Sequence, residues 1–185
     1  INRPLLAGPE IEVRGNNTLI SNGDTTPEAA DDTEFGIAEV DVGTVSHTFT
    51  IYNSGTLDLN LTGTPYVAIT GDVGDFTVTV PPTTPVTVSG STTFTVQFAP
   101  SATGLRSAVV SIASDDITDP TYTFSIQGTG ETYPASFIKF SPSNGNTVLS
   151  LTPTLSWETS SDADYYEYCV DVSDDDTCIG WVNNG

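Results

Sequence analysis

The stretch CVDVSDDDTC, Cys169 to Cys178, contains both cysteines of the chain and four aspartates between them. Thiols and carboxylates at this spacing could serve a metal ion, a redox couple or a covalent cross-link. A zinc site usually takes four nitrogen or sulfur ligands, and the single histidine, His47, is more than a hundred residues away. A redox pair would read C-x-x-C. A hairpin that turns near Ser173 and Asp174 sets the two cysteines opposite each other, and opposed Cα atoms lie about 4.5–5.5 Å apart, within disulfide range. A Cys169–Cys178 disulfide is therefore expected ahead of free thiols, metal or redox chemistry, and with it an oxidising compartment. By the loop-entropy account a ring of about ten residues is worth roughly 2–3 kcal/mol.

The remaining candidate chemistry is acidic. Asp115, Asp116 and Asp119 crowd the segment SDDITDP, and Asp174, Asp175 and Asp176 crowd the loop between the cysteines. These are the calcium candidates, and no other cofactor is expected. None of them has the twelve-residue EF-hand spacing ending in glutamate, so calcium would have to be gathered from separate loops. The competing reading is a solvated acidic surface. Further clusters are Asp24 with Glu28, Asp31 and Asp32, then Asp72 with Asp75, and Asp162 with Asp164. His47 alternates in phase with Phe49 and Ile51, which suits the edge of a core better than a catalytic base. No serine stands in a nucleophile-elbow glycine motif, and the expectation is no catalysis. Tyr165, Tyr166, Tyr168 and Trp181 could stack on sugar rings, or fill an interior together with Trp157. Asn16 and Asn60 begin N-x-T sequons.

The elements that must position these residues are strands. Period-two alternation dominates: Phe94, Val96 and Phe98 share a face, as do Ala108, Val110 and Ile112, and Tyr122, Phe124 and Ile126. Turn signals such as NSGT at 53–56, TGDVGD at 70–75 and PSATG at 100–104 separate the runs at the short spacing of a β-sandwich. The chain has 185 residues, room for two domains at roughly 100–150 residues each. A boundary follows QGTGETYP, which gives an N-terminal arm over 1–8, a sandwich over 9–131 and a second unit over 132–185. A complete sandwich needs on the order of 100 residues, so the second unit is expected to be incomplete. With four basic residues against 24 acidic ones the net charge is −20, which disfavours nucleic acid and anionic lipid as partners. No apolar run is long enough to span a bilayer. The chain begins at Ile1 and has no methionine, and is read as a processed product or a piece of a longer precursor.

The order FTIYNSG, FTV, FTVQFAPSATG and SDDITDPTYTFSIQGTG resembles the choice-of-anchor D family of bacterial surface proteins, which is similar in turn to Hydin-like and PapD-like immunoglobulin sandwiches. The tail SPSNGNTVLSLTPTLSWETSSDADYYEYCVDVSDDDTC looks like the first half of a fibronectin type III-like domain. The resemblance implies an all-β protein, an immunoglobulin-like sandwich plus a partial second one, acting outside the cell as a structural or adhesive unit of a surface stalk or filament. Its partners would be other copies of itself or neighbouring domains of the same surface protein. The alternatives are a calcium-dependent carbohydrate-binding module and a cytosolic Hydin-like scaffold. Half a sandwich leaves strand edges open, so the expectation is that the chain continues past Gly185 with the remaining strands, or else that a neighbouring subunit donates one, with Ile11 and Val13 of the N-terminal segment as the apolar face of the candidate donor.

Overall fold

The computed structural model describes residues 8–143, 152, 154–169 and 181–184. The chain divides into two compact units, Ile1–Glu131 and Thr132–Gly185.

The first unit is a two-layer β-sandwich. One layer holds β1 (Ile11–Gly15), β2 (Thr18–Ile20), β4 (Val45–Asn53), β6 (Phe76–Val80) and β7 (Ser91–Phe98), in the order β2-β1-β4-β7-β6. The other holds β3 (Glu34–Glu39), β5 (Val67–Gly71), β8 (Gly104–Ala113) and β9 (Thr121–Glu131), in the order β3-β9-β8-β5. Among the named strands of this unit the pairings are antiparallel except β3 with β9, which runs parallel from Glu34↔Gln127 to Glu39↔Glu131; ahead of it the single bridge Asp24↔Phe124 is also parallel. β1 and β2 form a tight hairpin turned at Asn16 and Asn17, whose φ values of 48° and 62° are both left-handed. Two such residues match the twist of the flanking strands, and asparagine tolerates that conformation well. Gly15, beside this turn, is required by close approach: a Cβ there would lie 1.8 Å from the carbonyl oxygen of Asp31.

The alternating residues meet between the layers. Phe49, Phe94 and Phe98 from one sheet and Phe124, Val110, Ile112 and Ile126 from the other are at most 1 % exposed. Phe49 stacks on Phe94 at 5.3 Å and reaches across to Phe124 at 5.4 Å. Each such side chain contributes about 1.5–3 kcal/mol by leaving water, and this sets the register, because a one-residue slip would turn the whole row to solvent.

Ile11 and Val13 correct the expectation of a strand held in reserve for a neighbour. They are 3 % and 0 % exposed, and β1 pairs with β4 from Ile11↔Asn53 to Gly15↔Phe49. Their apolar face is used inside their own domain.

The path of the chain follows from these registers. It comes in at Ile11, beside the end of β4 and the β8–β9 loop. It leaves at Glu131, beside the end of β3 and the start of β8, where Gly104 pairs with Gly130. These are opposite ends of the sandwich.

In the second unit the described residues include β10 (Lys139–Ser141) paired with β11 (Ser156–Trp157), and β12 (Tyr166–Cys169) paired with β13 (Trp181–Asn184). Among its aromatics, Trp157 lies 5.6 Å from Tyr166 and 6.2 Å from Tyr168, and Phe137 meets Tyr166 edge-on at 5.3 Å. Phe140 is 60 % exposed.

Candidate functional site

Buried carboxylates, which are costly unless bonded, mark both ends of the sandwich. Where the chain comes in, Asp116 in the β8–β9 loop is 1 % exposed. Its Oδ2 accepts the backbone N–H of Ile11 at 2.9 Å. Its Oδ1 accepts the N–H and the hydroxyl of Thr118, both at 2.8 Å, and the N–H of Asp119 at 3.3 Å. Burial by itself pushes this carboxyl upward, yet the donors from Ile11, Thr118 and Asp119 outweigh it, and the group is held below its ordinary value.

The neighbouring loop completes the socket. Asn53, 1 % exposed, belongs to the NSG turn; its Oδ1 accepts the N–H of Gly55 at 3.0 Å and of Glu10 at 3.4 Å, and its Nδ2 donates to the carbonyls of Leu57 and Val86. Ser54 N–H bonds the Glu10 carbonyl and Thr56 N–H the Gly8 carbonyl. Two side chains from two loops thus hold consecutive amides, those of Glu10 and Ile11, and fix where β1 begins. Asp119 is tied sideways, its Oδ1 accepting Nδ2 of Asn22 at 2.8 Å, while Asn22 Oδ1 accepts the N–H of Thr123.

Of the six calcium candidates, the structure brings together Asp116 and Asp119, and adds Glu10, which spacing along the sequence could not have recruited. Ligand oxygens of the three lie within 4.8 Å of one another. Asp115 is corrected out of this group: it faces Asn60, accepting its backbone N–H at 2.8 Å and its Nδ2 at 2.7 Å. Asp174, Asp175 and Asp176 lie outside the described residues. Asp116 already accepts four bonds, so a cation here would compete with the donors that hold the loop.

Where the chain leaves, Asp75 is 2 % exposed. It accepts Nε of Arg106 and, through Oδ1, the N–H of Ser101 at 2.9 Å. The second guanidinium arm reaches Asp72 at 3.1 Å, and Asp72 also accepts the N–H of Ser107 at 2.8 Å. Burial pushes the Asp75 carboxyl up, and the bonds from Ser101 and Arg106 together with the arginine charge bring it below its ordinary value. Asp24 and Asp31, from the first acidic cluster, form local turns: each accepts the N–H and the hydroxyl of the threonine two residues on, Thr26 and Thr33.

His47 sits at the rim of the core as expected, stacked on Phe35 at 4.4 Å with Nδ1 bonded to the Asp32 carbonyl at 2.7 Å. Cys169 ends β12 opposite Trp181 in the backbone register. Its side chain and the whole of Cys178 lie outside the described residues, as does the side chain of Trp181. In the second unit Phe137, Tyr165 and Tyr166 line a groove of about 430 Å³. Tyr165 is 54 % exposed, whereas Tyr166 and Tyr168 turn toward Trp157, so the three tyrosines of the set foreseen as a sugar platform are divided between a cluster of rings and one outward tyrosine.

A family model described as HYDIN/CFA65/VesB-like, Ig-like domain matches residues 29–129. No curated protein matches the chain. Among solved structures, the ASH/PapD-like domain 7 of human CEP192 is 16 % identical with a TM-score of 0.42, over 74 % of this chain and 92 % of that one. A protein of unknown function from Porphyromonas gingivalis is 17 % identical with a TM-score of 0.43, over 70 % of this chain and 69 % of that one. The VesB protease of Vibrio cholerae is 16 % identical with a TM-score of 0.40, over 60 % of this chain and 31 % of that one.

Proposed function

We propose that this chain, which belongs to the HYDIN/CFA65/VesB-like, Ig-like domain family, serves as a non-catalytic structural or adhesive unit of an extracellular stalk or filament. The observation that carries this reading is the through-going path of the first unit, in at Ile11 and out at Glu131 at opposite ends of the sandwich. A chain that traverses a domain end to end lets units be strung in series and transmit position from one to the next. A net charge of −20 favours solubility in such an array. In this reading the partners are other copies of the chain or neighbouring domains of the same surface protein.

The test is immuno-electron microscopy of native material with antibodies raised against the chain, combined with intact-mass analysis of the unreduced protein before and after alkylation. Label on surface fibres and unalkylated Cys169 and Cys178 are expected. Cytosolic label with both cysteines alkylated would overturn the proposal in favour of an intracellular scaffold.

A further inference from the structure

We infer that the first unit is a load-bearing module in which tension along the chain is met in shear, first by β1 on β4 and then by β3 on β9, with Asp116 and Asn53 pinning the leading end of β1. The inference rests on the serial reading above and names the parts of the domain that would resist extension.

The direction of pull at each strand decides how its hydrogen bonds are loaded. β1 begins at the end where the chain comes in and runs into the sandwich, so tension drags it back along its own axis. All five register pairs with β4 then load together instead of opening one at a time. The amide of Ile11, first in line, is gripped by Asp116, and the amide of Glu10 by Asn53.

Once β1 has slid free, the load reaches residues 22–24, which are tied to β9 by Gly23 N–H to the Thr123 carbonyl at 2.7 Å and Ser125 N–H to the Asp24 carbonyl at 2.8 Å, and when these give it passes to β3. This strand is parallel to β9, so tension pulls β3 by its first residue and β9 by its last, in opposite senses along a shared ladder. Gln127 N–H to the Thr33 carbonyl at 3.0 Å and Val40 N–H to the Glu131 carbonyl at 2.8 Å extend the bonding past both ends of β3. β9 is held on its other side by β8 through ten register pairs. The weaker links in line are therefore the β1 and β3 ladders, and they break in that order.

Single-molecule extension of the full chain tests this, with handles at Gly8 and Thr132 for in-line pulling. Handles at Val42 and Thr132, both at the end where the chain leaves, peel β3 from β9 bond by bond and serve as the control. In-line extension is expected to need several-fold more force than peeling. It should also show an early step from freeing residues 11–33, at most about 80 Å at about 3.5 Å per residue. Asp116→Asn and Asp116→Ala should lower the force of that step and leave the later rupture unchanged. Equal forces in the two pulling directions, or a variant that lowers both ruptures alike, would overturn the clamp. A surface-located native protein with isotropic resistance would sink the clamp alone, and a cytosolic one with a strong in-line clamp would sink the functional reading alone.

Discussion

The two ends of the sandwich each bury an aspartate, and they neutralise its cost differently. Asp116 is held by three backbone N–H groups and a hydroxyl, with Glu10 and Asp119 nearby. Asp75 is held by the Arg106 guanidinium and one N–H, and Arg106 is shared with Asp72. Fixed dipoles serve one end and a counter-ion the other. Dipoles pointed by the backbone barely respond to salt, whereas a partly exposed ion pair is screened. In both cases the aspartate stitches a loop to a strand distant in sequence, 105 residues for Asp116 to Ile11 and 31 for Asp75 to Arg106.

The largest expected effect comes from removing the dipole-held carboxylate. Asp116→Ala leaves the amides of Ile11, Thr118 and Asp119 without their acceptor and should lower unfolding free energy by about 3 kcal/mol in urea titrations. Arg106→Ala strips the counter-ion from a buried carboxylate that keeps its bond from Ser101, at a cost of about 2 kcal/mol. Added salt should shrink the Arg106→Ala penalty and leave that of Asp116→Ala unchanged. Penalties that respond alike to salt would erase the distinction between the two ends.

Acid should weaken both ends together. The folded-state values of Asp75 and Asp116 lie below the ordinary one, so the stability these groups contribute is complete above roughly pH 4 and is lost as pH falls through their lowered values. Thermal melts at fixed ionic strength should be level with respect to these two groups near neutrality and fall below about pH 4. Asp75→Asn and Asp116→Asn should each flatten that fall. A melt that rises steadily on acidification, with the same profile in both variants, would show that relief of charge repulsion dominates.

Calcium is the smallest effect. With Asp116 already occupied by four donors, calcium and magnesium at equal ionic strength should raise the melting temperature equally, through screening. A shift specific to calcium and abolished by Asp119→Asn would restore the carbohydrate-module reading and place a cation at the Asp116 end.

Much of the first sandwich was legible because a half-buried strand writes its inner face at every second residue. The runs at Phe94, Ala108 and Tyr122 are buried as their alternation requires, and the NSG at 53–55 is a turn opened by Asn53, the last residue of β4, whose side chain accepts the N–H of Gly55. What pairs with what was less legible. Parallel pairing of β3 with β9 joins residues some ninety positions apart, and nothing in a strand's own alternation names its partner. The segment from Ile11 to Val13 reads in sequence as a strand for a neighbour for a related reason: its apolar face shows that it needs cover but not whose. The acidic clusters were visible as composition, while their sorting into an amide-holding Asp116, an Asn60-facing Asp115 and an arginine-bound Asp75 depended on loops that meet only after folding.

The parallel β3–β9 ladder has a consequence for how the domain is made. β8 and β9 are joined by a short loop and can pair as soon as both exist, at little loop-closure cost, whereas β3 must wait for a partner that lies near the end of its domain. On a ribosome everything from Ile11 to Pro120 would have left the tunnel before the strand that joins β3 to the second sheet was available. Until Glu131 emerges, β3 keeps an open edge that a nascent neighbour could occupy. Pulse-labelled hydrogen exchange during refolding should show amides of β8 and β9 protected before those of β3, and simultaneous protection would remove this ordering. For a protein made in series, the last strand of each domain would then set the pace of assembly.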